Sequence, residues 1–83
     1  MERTWLITGC SSGLGKGIAK AVLARGDRAA LTARDPAALA AFTAAYPGRA
    51  LALSLDLSCA DSIPRVVAET QRAFGGIDVL GNN

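Results

Sequence analysis

Eight residues near the start of the chain, Thr8-Gly9-Cys10-Ser11-Ser12-Gly13-Leu14-Gly15, hold the clearest chemistry in the sequence. They follow a short apolar run and precede a segment with helical periodicity, so the glycine-rich turn delivers the chain into a helix N-terminus. Such a terminus offers unpaired N–H groups and roughly half a positive charge, which suits an anion such as a pyrophosphate. Gly9 and Gly13 let the backbone turn and approach phosphate oxygens without a Cβ in the way, and Gly15 lets the helix lie close on a sheet. Ser11 and Ser12 add hydroxyl donors, and Leu14 completes the turn between the last two glycines. The plainer alternative is an ordinary tight turn before a helix, and three glycines at this spacing argue against it. A nucleotide-triphosphate loop is excluded despite Gly15-Lys16: Gly9 to Gly15 is one residue too long, and Gly17 stands where Ser or Thr is required.

The elements that must position this turn can be read in order. Trp5-Leu6-Ile7 is apolar without alternation, as expected of a strand buried on both faces. From Leu14 the period changes, with Leu14, Ile18, Ala21 and Val22 on one helical face and a stop at Gly26. Ala29 to Ala33 has strand length, although its alanines are poor strand formers. Asp35-Pro36 opens a second, Ala-rich helix, expected to run to about Tyr46 and to close at Pro47-Gly48. Ala50 to Leu55 forms a third strand leading to Asp56. Ser58 or Asp61 caps the next helix, which starts near Asp61 so that Pro64 falls in its first turn, and which carries Ile63, Val66, Val67, Thr70 and Phe74. After Gly75-Gly76, Ile77 to Leu80 reads as a fourth strand. Strictly alternating strands and helices predict an α/β fold with a parallel sheet, and no internal domain boundary interrupts residues 1–83.

Composition narrows the function classes. Eighty-three residues bury only about 60% of the unfolded surface, which leaves a thin stability margin. With 51% hydrophobic residues the chain is not disordered, and a net charge of +2 without a basic stripe argues against a nucleic-acid partner. No apolar run approaches the ~20 residues of a membrane span. The stretch after Met1-Glu2-Arg3-Thr4 is too short and too glycine-bounded for a secretory signal, so a cytoplasmic location is expected. Cys10 and Cys59 have no metal-ligand spacing and there is no His, so both read as small buried thiols, neither bridged nor metal-bound.

Taken together, Thr8-Gly9-x-x-x-Gly13-x-Gly15 resembles the glycine motif of the short-chain dehydrogenase/reductase family. Asp56-Leu57-Ser58 is similar to the family's Asp after the third strand, Ile77-Asp78-Val79-Leu80 to its fourth strand, and Asn82-Asn83 to the first half of its Asn-Asn-Ala-Gly motif. The resemblance spans the whole chain. It implies a Rossmann-type doubly wound parallel sheet, incomplete, with four strands and three helices, forming the N-terminal part of a dinucleotide-binding domain. By the same resemblance Asp56 accepts a hydrogen bond from the adenine amino group with the Leu57 backbone beside it, Asn83 lies next to a cofactor ribose, and Asn82 ties down the sheet. Gly81 departs from the family's β-branched or aliphatic residue, which puts the pairing of the last strand in question.

An acidic residue about 20 positions after the glycines selects NAD by binding the ribose 2′-hydroxyl. Ala33 stands there instead, and Arg34 follows it. A guanidinium can pair with a 2′-phosphate and lie on the adenine face, so the resemblance favours NADP(H), with NAD as the alternative. Two alternatives compete: Arg34 is a solvated surface residue, or Asp35 takes the ribose, which favours NAD; ahead of Pro36, Asp35 serves better as a helix cap. The family acts on alcohols and carbonyls through a Ser and a Tyr-x-x-x-Lys pair, in which Lys lowers the Tyr pKa. Here the only tyrosine, Tyr46, has Ala50 four places on, and the only lysines, Lys16 and Lys20, lie in the first helix. No residue is assigned to catalysis.

Three readings follow: the front end of an NADP(H)-dependent oxidoreductase of small-molecule alcohols or carbonyls, inactive alone; a module that holds a dinucleotide or a partner without turnover; or a decayed gene product. Coding DNA continuing past Asn83 into Ala-Gly, a Ser and Tyr-x-x-x-Lys favours the first. By resemblance the fourth strand is covered in a complete fold, and left bare it is an apolar edge prone to pair with other chains. The 83-residue chain by itself is therefore expected to self-associate or to be partly molten. Sedimentation velocity with a urea unfolding curve checks this, and a monomer with one cooperative transition would refute it.

Overall fold

The computed structural model describes residues 2–81; Asn82 and Asn83, and the roles expected of them, lie outside the described residues. Four strands, β1 (Thr4–Ile7), β2 (Arg28–Ala33), β3 (Ala50–Ser54) and β4 (Val79–Gly81), form one parallel sheet in the order β3-β2-β1-β4. Helices α1 (Gly13–Ala24), α2 (Ala40–Ala45) and α3 (Ser62–Phe74) connect them. The expected α/β doubly wound arrangement is present, because residues alternate between two cores. Trp5, Ile7, Ala29 and Leu31 pack with Val22, Leu23, Leu39 and Phe42 on the face of α1 and α2. Leu6, Ala30 and Leu53 pack with Val66 and Phe74 on the face of α3. β1 and β2 are laddered on both edges and covered on both faces, which accounts for their unbroken apolar runs. The same double pairing holds the alanines of β2 extended against their weak strand preference.

Several local expectations are corrected. Leu14 is 70% exposed, and the buried face of α1 is Gly15, Ala19, Val22 and Leu23. Side chains in a first turn lean toward the helix N-terminus, here past the end of the sheet, so Leu14 has no surface to cover. The second helix is not one continuous element. Asp35 caps it as expected, its Oδ1 accepting from Ala37 N–H at 3.0 Å, but the first turn tightens into a 3₁₀ segment, Pro36–Leu39. The α-helical part stops at Ala45, two residues before Pro47, where the proline disfavours helical backbone. α3 begins at Ser62 with Pro64 in its first turn, yet neither Asp61 nor Ser58 caps it: Asp61 makes no capping bond, and Ser58 bonds Asp56. Cys10 is buried with its thiol on Ile7 O at 3.3 Å, whereas Cys59 is exposed in the loop after β3; both are free.

The last strand pairs through Gly81. Ile7 is in register with Gly81, and Thr8 N–H donates to Gly81 O at 3.0 Å. At the other end Asp78 clamps Thr4 twice, its N–H donating to Thr4 O at 2.8 Å and its Oδ2 accepting from Thr4 N–H at 2.8 Å. This clamp moves the strand to Val79–Gly81 from the Ile77 start expected. β4 is an edge strand, and Leu80 is 65% exposed. Among the described residues no helix is long and apolar enough to cross a membrane.

A polar hub closes the N-terminal end of the sheet. Buried Asp27, just before β2, accepts from Arg25 Nη2 at 2.6 Å, Arg3 N–H at 3.1 Å and Trp5 Nε1 at 3.0 Å. The Arg25 bond, aided by the Arg3 amide and the Trp5 indole, lowers its pKa from 3.8 to about 2 against a smaller opposing effect of burial.

Two outcomes are expected of these features. Because the folded carboxyl titrates below the unfolded one, Asp27 stabilises the fold fully above about pH 3.8, and that contribution fades as pH falls toward about 2. Urea unfolding at a series of pH values should show Asp27→Asn less stable than the parent at pH 7, with the gap narrowing below pH ~4. At the other end, a Cβ on residue 81 would meet Ile7 Cγ1 at 3.5 Å, an ordinary contact, and Gly81 has no positive φ. Gly81→Ala should therefore raise stability by about 0.5–1 kcal/mol, read as a higher urea midpoint at constant slope.

Candidate functional site

Because all four strands are parallel, the C-terminal ends of β1, β2 and β3 open on one side of the sheet, the position where open α/β sheets bind ligands. A cleft of about 460 Å³ lies there. Its walls come from three loops: Thr8, Gly9 and Ser11 after β1; Thr32, Ala33 and Arg34 at the end of β2; Leu55, Asp56, Leu57 and Ser58 after β3. Of the residues expected to form the site, Gly9, Ser11, Arg34, Asp56 and Leu57 thus share one cleft. Ser12, Gly13 and Leu14 lie exposed beside it at the start of α1, and Gly15 is buried in the first turn, where it faces no solvent.

The glycine turn is held by its neighbours. Cys10 N–H donates to Thr32 O at 2.8 Å, and the Thr32 hydroxyl returns a bond to Ile7 O at 3.1 Å. Gly9 and Gly13 have φ of 64° and 62°, a region that L side chains rarely adopt. A Cβ on Gly13 would meet nothing within 4 Å, so the backbone angle rather than crowding by the protein calls for glycine. Ser12 is the N-cap residue of α1 in extended geometry (φ −160°, ψ 168°), and its hydroxyl makes no capping bond. The first-turn amides of α1 therefore have no side-chain cap from Ser12.

The loop after β3 is a compact turn. Asp56 Oδ1 accepts from Ser58 Oγ at 2.7 Å and from Ser58 N–H at 3.0 Å. Those bonds, the hydroxyl's first, hold the Asp56 carboxyl below the usual carboxylate range; burial opposes them and the Arg34 charge adds a smaller push downward. Asp56 is accordingly an anion at neutral pH, and Oδ2 accepts no hydrogen bond among the described residues, which leaves an acceptor for an N–H-bearing group. Arg34 and Leu57 are exposed at the mouth. Sequence reasoning missed Thr32 and Ser58 as parts of this site. A lone hydroxyl in the apolar run Ala29 to Ala33 was the signal for the first, and the Asp-x-Ser spacing of an Asx turn for the second. Among the described residues no group of His, Cys, Asp or Glu is placed to hold a metal.

The sequence matches the family model described as short chain dehydrogenase over residues 3–83. The chain belongs to the short-chain dehydrogenase family. A sorbitol dehydrogenase of Cereibacter sphaeroides is 38% identical over 81 residues, covering 98% of this chain and 32% of that protein. The crystal structure of a short-chain dehydrogenase from Streptomyces avermitilis superimposes with a TM-score of 0.90 at 46% identity, over 95% of this chain and 29% of that one. A 3-ketoacyl-(acyl-carrier-protein) reductase from Brucella melitensis, solved in complex with NADH, superimposes with a TM-score of 0.85 at 31% identity, over 94% of this chain and 32% of the other. This short-chain dehydrogenase chain spans about a third of the length of the curated relatives that it matches. No described residue of it pairs a tyrosine with a lysine four places on.

Proposed function

We propose that the chain is the N-terminal, nucleotide-binding portion of a short-chain oxidoreductase that acts on alcohol or carbonyl groups, and that its cofactor is NADP(H). The diphosphate would lie against the turn from Gly9 to Gly15, where the uncapped first-turn amides and the Ser11 and Ser12 hydroxyls supply donors. The open space at Gly13, which a Cβ would enter, suits a phosphate approaching the backbone. Asp56 Oδ2 would accept from the adenine amino group, beside the Leu57 backbone. The nicotinamide would supply or accept the hydride, and the groups that activate the substrate would come from sequence other than these 83 residues.

The observation that carries the choice of cofactor is the end of β2. Ala33 puts no carboxylate where it would take a ribose 2′-hydroxyl, and the exposed guanidinium of Arg34 follows at the cleft mouth. Asp35, the competing ribose acceptor, spends Oδ1 on the Ala37 amide, which favours its reading as a cap. The NADH-bound Brucella relative supports a dinucleotide without deciding between the two. The bare edge of β4, with Leu80 exposed on it, supports self-association of the chain when nothing else covers that strand.

Titration of the purified chain by nucleotide fluorescence should show saturable binding of both nucleotides, NADPH being the tighter. Arg34→Ala should weaken NADPH by roughly tenfold, the scale of one solvent-exposed charge-assisted bond, and leave NADH almost unchanged. A folded chain with no saturable signal for either nucleotide would overturn the assignment, and equal losses for the two would remove Arg34 from it.

A further inference from the structure

Arg34 stands one residue beyond β2, where the ladder to β3 ends. The final ladder bond runs from Leu55 N–H to Ala33 O at 3.0 Å. The next carbonyl, Arg34 O, has no ladder partner, and the Ser54 hydroxyl donates to it at 3.3 Å. Ser54 is itself gripped from the other direction. Arg49 and Leu55 direct their backbone groups toward β2, so the alternation along β3 turns those of Ser54 to the sheet's open edge. There Arg65, in the first turn of α3, donates Nη2 to Ser54 O at 3.1 Å. On its far side the Arg34–Asp35 peptide is held by the Asp35 cap on Ala37. Neither bond belongs to the sheet ladder or to a helix: the Ser54 hydroxyl holds the peptide that follows Arg34, and Arg65 holds the peptide that follows Ser54.

We infer that Ser54, held in place by Arg65, is a positioning residue for Arg34 and thereby sets the preference for a 2′-phosphorylated dinucleotide. This rests on the reading that Arg34 receives the 2′-phosphate. An exposed arginine loses rotamer and backbone freedom when it grips a phosphate, and a peptide already fixed at its base reduces that loss. The effect is larger for NADPH, because NADH has no 2′-phosphate and asks of the guanidinium only the weaker contact with the adenine face.

The test is nucleotide titration of the 83-residue chain and its variants with NADPH and NADH, each variant checked for secondary structure by circular dichroism. Ser54→Ala should weaken NADPH roughly threefold to tenfold, the worth of one neutral hydrogen bond, and leave NADH within about twofold. Ser54→Thr, which keeps the hydroxyl, should restore NADPH binding. In an Arg34→Ala background Ser54→Ala should have no further effect, because the group that it positions is gone. Should Ser54→Ala fail to fold, Arg65→Gln leaves β3 unchanged and should shift the NADPH-to-NADH ratio in the same direction. Equal losses for the two nucleotides, or additive losses with Arg34→Ala, would overturn the positioning role and leave the Arg34 reading standing. A parent chain that binds NADPH no more tightly than NADH would overturn both.

Discussion

Parallel pairing on both edges of β1 is the constraint from which the rest of this structure follows. A parallel neighbour can be reached only by a crossover, so each strand must be followed by a connection that returns to the same end of the sheet. Three such connections place the ends of β1, β2 and β3 together, and the cleft exists because those ends share a side. The same pairing buries β1 and β2 on both faces. Apolar and small residues fill most of these positions, and the Thr32 hydroxyl is accommodated because it donates to the Ile7 carbonyl.

The two ends of the sheet use polar groups in opposite ways. At the N-terminal end Asp27 has three donors from two segments, Arg3 and Trp5 beside and within β1 and Arg25 after α1, so both of its oxygens are engaged by the protein. That arrangement stabilises the fold and offers little to a ligand. At the C-terminal end Asp56 spends one oxygen on Ser58, and among the described residues its other oxygen and the exposed Arg34 side chain make no hydrogen bond. Charges left partly unsatisfied around a cleft are what a polar ligand requires. On the function proposed above, the carboxylate would take the amino edge and the guanidinium the phosphate of an adenine nucleotide.

Much of the site was legible before the fold was known, because its parts are local. The glycine turn, Arg34 after the second strand and Asp56 after the third each follow from short-range spacing, and the sheet then brings Gly9, Ser11, Arg34, Asp56 and Leu57 to one cleft. What failed to be legible involves residues distant in sequence or at element ends. Leu14 continues the apolar period of α1 yet lies past the sheet, so periodicity assigned it a partner that the fold does not supply. Cys59 reads as a small hydrophobe and lies instead in an exposed turn, because the loop after β3 closes on Asp56 rather than on the core.

The sequence by itself determined which segments are strands and helices, that the sheet is parallel, and which glycine-rich turn leads from β1 into α1. These depend on hydrophobic period, turn residues and connection length, all of which act within a few residues. Only the tertiary structure decided the strand order, the pairing of Gly81 with β1, the Asp27 hub and the contact of Ser54 with both Arg34 and Arg65. Those depend on hydrogen bonds between groups up to 74 residues apart, such as Thr4 with Asp78. A backbone donor carries no mark in the sequence of the acceptor that it will meet, so such pairings become visible only once the strands lie side by side.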